Sequence, residues 1–124
     1  MNLSVCKSFT FDAAHRLPNY DGHCANLHGH QWTLEVEVWG PVQEDSGMVL
    51  DFMVLKKMVY ALVIDALDHR YLNEIYSNPT AELMLVNIAE HLKNGLNGRY
   101  PEVILRRVRL YESPGSFAEW NGEV

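Results

Sequence analysis

The chain has 124 residues, a formal charge of −6 at pH 7 and two cysteines. That length makes one domain, residues 1–124, able to bury about two-thirds of its unfolded surface, while the acidic balance argues against a nucleic-acid surface. No apolar run approaches the ~18 residues of a membrane span, and the N-terminal residues lack the basic start and apolar core of an export signal. The expectation is a cytoplasmic protein with Cys6 and Cys24 both free.

Residues 3 to 16 read as a strand, with Val5, Phe9, Phe11, Ala13 and His15 on one parity and Lys7 interrupting it. Cys6 takes the other parity and reads as a small packed residue. Leu17 to Leu27, with Pro18, Asn19, Asp21, Gly22 and Asn26, is loop chemistry. A second strand follows, in which Trp32, Leu34, Val36 and Val38 alternate with Thr33, Glu35, Glu37 and Trp39 until Gly40-Pro41 stops it. Asp51 can cap a helix from about Phe52 to Ala66, whose apolar stripe is Phe52, Leu55, Val59, Leu62, Val63 and Ala66.

Asn78-Pro79-Thr80 signals a second helix, with Thr80 as N-cap and Glu82 in its positive first turn. Leu85, Ile88, Ala89, Leu92 and Leu96 face inward, and Gly95 and Gly98 mark the end. Residues 103 to 112 return to strand, with Ile104, Val108, Leu110 and Glu112 on one parity and Arg107 and Arg109 on the other; a short strand near Phe117 to Trp120 closes the chain. The order ββααββ implies an α+β fold, a four-stranded antiparallel sheet with two helices on one face. Glu35, Glu37, Arg107 and Arg109 are left on the opposite face, and two uncovered edges invite association.

His28 and His30 flank Gly29 at the start of the second strand, so their side chains share a face with roots about 7 Å apart. His15 keeps the apolar parity of Phe9 and Phe11 on the first strand. Three imidazoles with a fourth position open form the ligand set of a catalytic zinc, whereas a structural site is closed by four side chains. Cys24, four positions before His28, supplies a thiol whose thiolate a neighbouring cation favours.

Other groups leave alternatives open. A carboxylate on an apolar parity requires a partner, so Glu112 either pairs with Arg106 or accepts hydrogen bonds from the N–H edge of a guanine-like heterocycle. Asp68-His69 is either solvated chain or a proton-transfer pair in which the carboxylate fixes the imidazole's tautomer. His23 reads as exposed and His91 has no assigned role. Two further function classes fit the same residues: a non-catalytic subunit that binds such a purine-like heterocycle, and a hydrolase using zinc-bound hydroxide.

Six ordered segments, Phe11-Asp12-Ala13-Ala14-His15-Arg16-Leu17, Cys24-x-x-x-His28-Gly29-His30, Gly47-Met48-Val49-Leu50-Asp51-Phe52, Leu67-Asp68-His69-Arg70-Tyr71-Leu72-Asn73, Asn78-Pro79-Thr80-Ala81-Glu82 and Tyr111-Glu112-Ser113-Pro114, resemble motifs of the 6-pyruvoyltetrahydropterin synthase family. The three-residue gap between Cys24 and His28 is similar to the 6-carboxytetrahydropterin synthase branch, which serves queuosine and other 7-deazaguanine pathways. The resemblance implies a tunnelling fold, in which three sheets close a barrel and two rings stack as a hexamer, a dimer of trimers. It implies zinc on His15, His28 and His30, and 7,8-dihydroneopterin triphosphate as substrate. It further implies Glu112 as pterin anchor, and Thr80, Ala81 and Glu82 as a pterin-binding segment acting across an interface. Cys24, Asp68 and His69 become the catalytic groups, with Lys7, Arg16 and the late arginines as candidates for the triphosphate.

Overall fold

The computed structural model describes residues 1–122. Strand β1 (Asn2–His15) pairs antiparallel with β2 (His28–Pro41) along its whole length, from Asn2 opposite Pro41 to His15 opposite His28. Helix α1 (Phe52–Val59) starts on Asp51, whose side chain accepts from the Met53 N–H, and runs through a π-helical turn (Tyr60–Ile64) into α2 (Asp65–Leu67). A two-residue strand β3 (Arg70–Tyr71), the helix α3 (Ala81–Arg99), and the hairpin of β4 (Ile104–Ser113) and β5 (Ser116–Trp120) complete the chain.

The sheet order is β3-β1-β2-β4-β5. It therefore has five strands rather than the expected four, and β3 runs parallel to β1 while the other pairings are antiparallel. A two-residue strand is too short to show an alternation, and β3 exists only through its partner. The helices lie on one face, as the alternation of β2 requires. Trp32, Phe11 and Leu34 meet Leu55, Ile64 and Ile88 there, all almost fully buried. Side chains of this size contribute about 1.5–3 kcal/mol each on burial.

Three local irregularities correct the sequence reading. The register passes from Glu37 opposite Arg107 to Val38 opposite Leu105, leaving Arg106 as the extra residue of a β-bulge. Val103 and Leu105 are consequently buried and Ile104 is exposed, the reverse of the expected parity. In the first helical run the π turn inserts a residue, so the stripe continues through Val63, Ile64 and Leu67, while Phe52 and Ala66 face solvent. Gly95 does not end α3, which also buries Met84. A Cβ at Gly95 would stand 2.6 Å from Leu62 Cδ1, so the missing side chain lets the two helical runs approach.

The other face of the sheet is polar. Arg107 Nη2 lies 3.0 Å from Glu37 Oε1 and Arg109 Nε donates to Glu119 Oε1 at 2.6 Å. Solvent screens pairs this accessible, and they chiefly keep the face hydrophilic. Cys6 is exposed on this face opposite Glu37, not packed as expected. Cys24 is the other free cysteine.

Candidate metal centre and its neighbouring groups

The β1–β2 ladder sets His15 directly across from His28, and His30 across from Ala13, so the three imidazoles project from adjacent positions on the helix-facing side. Ring centroids are 4.6 Å apart for His15 and His28, 4.8 Å for His28 and His30, and 5.3 Å for His15 and His30. Trp32 packs against the rings of His15 and His30 at 5.1 and 5.5 Å, and its Nε1–H donates to the Ala13 carbonyl.

Two of the rings have their tautomer fixed from behind. The Pro79 carbonyl lies 2.8 Å from His15 Nδ1 and the Asn26 carbonyl 2.7 Å from His28 Nδ1. A carbonyl can only accept, so each Nδ1 carries the hydrogen and each Nε2 presents its lone pair. The Nε2 atoms of all three histidines are buried without a hydrogen-bond partner. Burial also pushes the pKa of His15 and of His30 below the ordinary histidine value, which favours the neutral, ligating form, although the Glu112 charge opposes the shift in both.

Glu112 completes the cluster: a ligand atom from each of His15, His28, His30 and Glu112 lies within 4.8 Å of every other. Its Oε1 is 3.3 Å from His30 Nε2, though without hydrogen-bond geometry. The Arg106 pairing considered for Glu112 is not formed. The bulge turns Arg106 outward, where its Nε is 3.9 Å from Glu37 and its guanidinium lies over the Trp39 ring. Three orphaned imidazole nitrogens beside a carboxylate fit a borderline cation such as Zn²⁺, the oxygen position being shareable with substrate.

Glu112 also borders a cavity of about 290 Å³ with Ala81, Glu82 and Ser116. The expected pterin-binding segment thus reaches Glu112 partly within a single chain. Thr80 does not line that cavity: its hydroxyl accepts from the Leu83 N–H and caps α3.

Cys24 lies half-buried in a short 3₁₀ turn (His23–Ala25), with its carbonyl accepting from the Leu17 N–H at 2.7 Å. Its sulfur is outside the four-residue group. His23 beside it is exposed, as is His91 on the outer side of α3.

Asp68 and His69 meet: His69 Nδ1 is 3.0 Å from Asp68 Oδ1. They form a second group with Asp12 rather than joining the histidines. The Asp12 N–H donates to Asp68 Oδ1, a bond that is the main reason the Asp68 carboxyl is held below the usual carboxylate range. His69, at φ 61°, donates its backbone N–H to the Asp12 carbonyl at 2.6 Å. A non-glycine residue in that region is strained, and strain of this kind is retained where the surroundings fix the backbone. The His69 ring remains 78% exposed, and His69 and His30 border the same open depression. Sequence reasoning missed Pro79, Asp12 and Asn73 as supporting groups; the one available signal was their place in the motif segments, Asp12 in that of His15, Asn73 in that of the Asp-His pair and Pro79 in that of Thr80.

The chain is thus an α+β domain whose mainly antiparallel sheet carries a three-histidine, one-carboxylate cluster with the donor set of a metal site. The sequence model for 6-pyruvoyl tetrahydropterin synthase matches residues 4–123. The chain is 32% identical over 138 residues to a 6-carboxy-5,6,7,8-tetrahydropterin synthase of Haemophilus influenzae, covering 95% of this chain and 98% of the relative. It is 41% identical over 122 residues to a dihydroneopterin monophosphate aldolase of Pyrococcus furiosus, covering 97% and 100%. The Caenorhabditis elegans 6-pyruvoyl tetrahydropterin synthase structure has the same fold, with TM-score 0.86, 30% identity and coverage of 99% and 97%. The chain belongs to the 6-pyruvoyl tetrahydropterin synthase family and is an enzyme of lyase type.

Proposed function

We propose that this enzyme is a zinc-dependent 6-carboxy-5,6,7,8-tetrahydropterin synthase that acts on 7,8-dihydroneopterin triphosphate and releases triphosphate and acetaldehyde, in the supply of 7-deazaguanines such as queuosine. The observation that carries the proposal is the trio of buried, unpartnered Nε2 atoms on His15, His28 and His30, with the Cys24 sulfur outside the ligand group. Bound there, zinc supplies Lewis-acid stabilisation of charge on side-chain oxygens of the substrate.

The chain's own groups divide the remaining work. Glu112 accepts hydrogen bonds from the N–H edge of the pterin, and Ala81 and Glu82 border the same cavity. Cys24 takes a proton from a side-chain carbon. Asp68 holds His69 through Nδ1, leaving Nε2 as the nitrogen that gives or receives protons. Of the cations considered for the triphosphate, Arg106, Arg107 and Arg109 stand beside Glu37 or Glu119, which favours Lys7 and the exposed Arg16 just past β1. The functional unit is proposed as a cytoplasmic hexamer of single-domain chains, with the pocket completed between subunits.

The 41% identity to the Pyrococcus aldolase favours a second reading, in which the same groups cleave the side chain of a dihydroneopterin monophosphate. Incubating the purified protein with each phosphate and weighing the products by mass spectrometry separates the two. Carboxytetrahydropterin from the triphosphate is the expected result. A pyruvoyl pterin, or turnover of the monophosphate alone, would overturn the assignment.

A further inference from the structure

Segment 68–73 is docked on residues 12–16 at more points than its two-residue strand provides. The β3 ladder pairs Arg70 with Ala13 and Tyr71 with Ala14. Beyond one end of it the Asp68 carboxylate accepts from the Asp12 N–H, and the His69 N–H donates to the Asp12 carbonyl. Beyond the other end stands Asn73. Its side-chain oxygen accepts from the Arg16 N–H at 2.9 Å and its amide nitrogen donates to the Arg16 carbonyl at 2.9 Å.

Arg16 lies one residue past the last β1–β2 pair and two past the last β1–β3 pair, so the Asn73 amide does for its backbone what a neighbouring strand does elsewhere. The next residue, Leu17, donates its N–H to the carbonyl of Cys24 at 2.7 Å. The far side of the same loop is tied by the His28 imidazole to the Asn26 carbonyl. Two anchors therefore hold the turn that carries Cys24, one on a metal-site histidine and one running through Arg16 to Asn73. The second begins four residues after His69, on the segment that holds the Asp-His pair.

We propose that Asn73 is a positioning residue that fixes the Cys24 loop, and with it the thiol, through the Arg16 backbone. The inference rests on the proton-transfer role assigned to Cys24 under the proposed function. His15, adjacent to Arg16, does not depend on this tie, because its ring is fully buried and its Nδ1 is held by Pro79. The proposal thus separates thiol placement from metal binding.

The test uses the zinc-loaded enzyme in a Cys6→Ser background, so that Cys24 is the one remaining thiol. Asn73→Ala removes both bonds to Arg16, and Asn73→Asp keeps the acceptor for the Arg16 N–H while losing the donor. Zinc per chain is expected to be unchanged in both. The rate of Cys24 alkylation by iodoacetamide rises several-fold in Asn73→Ala and less in Asn73→Asp, in line with local opening of the loop. kcat falls about 10- to 100-fold in Asn73→Ala with KM within about threefold, the cost of a misplaced reacting group.

Unchanged alkylation in Asn73→Ala overturns the proposal, whatever the turnover. Cys24→Ala serves as the control on the underlying reading. If that variant turns over normally, the role given to Cys24 fails, while the alkylation rates still decide whether Asn73 positions the loop.

Discussion

Loading the histidine cluster with zinc should raise the stability of the fold by an amount that can be worked out beforehand. In the metal-free chain three buried imidazole nitrogens lack a hydrogen-bond partner, and an unsatisfied buried polar group costs about 1–3 kcal/mol. A ligand held by the native state alone adds about 2.7 kcal/mol when its free concentration is a hundred times its Kd. For a chain of this size that converts to a rise of about 8–16 °C in Tm. The assay is differential scanning calorimetry at fixed protein concentration, with and without zinc, on wild type and on His28→Ala.

Acidity adds an internal check. The folded-state pKa of His15 and of His30 lies below the ordinary value because burial disfavours the charged ring. The unfolded chain therefore binds more protons as pH falls below about 6.5. The stability of the metal-free protein is complete above that pH and declines beneath it towards the depressed values, and the zinc increment shrinks over the same range because protonated imidazoles do not ligate. A His28→Ala protein with the full wild-type increment would refute the assignment of the cluster, as would wild type that takes up no zinc by metal analysis.

Glu112→Gln keeps the shape of the proposed pterin anchor and removes its charge; losing charge-assisted hydrogen bonds of about 1.5–3 kcal/mol should raise KM about 10- to 150-fold, and an unchanged KM would remove Glu112 from pterin recognition. Gly40→Ala places a Cβ 3.0 Å from the Glu102 carbonyl oxygen and 3.4 Å from Val103 Cα, both backbone atoms. Overpacking of that kind costs about 1–3 kcal/mol, seen as a lower urea midpoint at constant m; a wild-type midpoint would show that the β2 end can yield. The depressed Asp68 carboxyl contributes to the docking of β3 above about pH 4 and loses that contribution as pH falls through its folded-state value. Amide exchange at Asp12 should therefore accelerate on acidification relative to Asp68→Asn, and parallel pH profiles for the two proteins would contradict it.

The parts of this molecule legible in the sequence are those with a local pattern. Phe9, Phe11, Ala13 and His15 announce one buried face, and Trp32, Leu34, Val36 and Val38 another, because a strand exposes alternate residues to the same surroundings. The same rule brings three histidines from two strands to one side, as the ladder from Ala13–His30 to His15–His28 bears out. Thr80 and Asp51 as N-caps are local in the same way, since each bonds a backbone N–H two or three residues on. Glu112 was visible as a carboxylate out of place, but its partner was not: an even count along β4 assumes no bulge, and Arg106 is the bulge.

The chain's own residues thus determined the two-layer plan, the apolar faces and the convergence of the imidazoles, because periodicity and capping act over a few residues and leave their mark there. Tertiary structure alone decided that β3 exists, that Asp68 holds the Asp12 N–H and Asn73 the Arg16 backbone, and that Pro79 orients His15. Those bonds join positions 56, 57 and 64 residues apart. A hydrogen bond across such a separation imposes no period on either segment, so its partners become visible only when the sheet has brought them together.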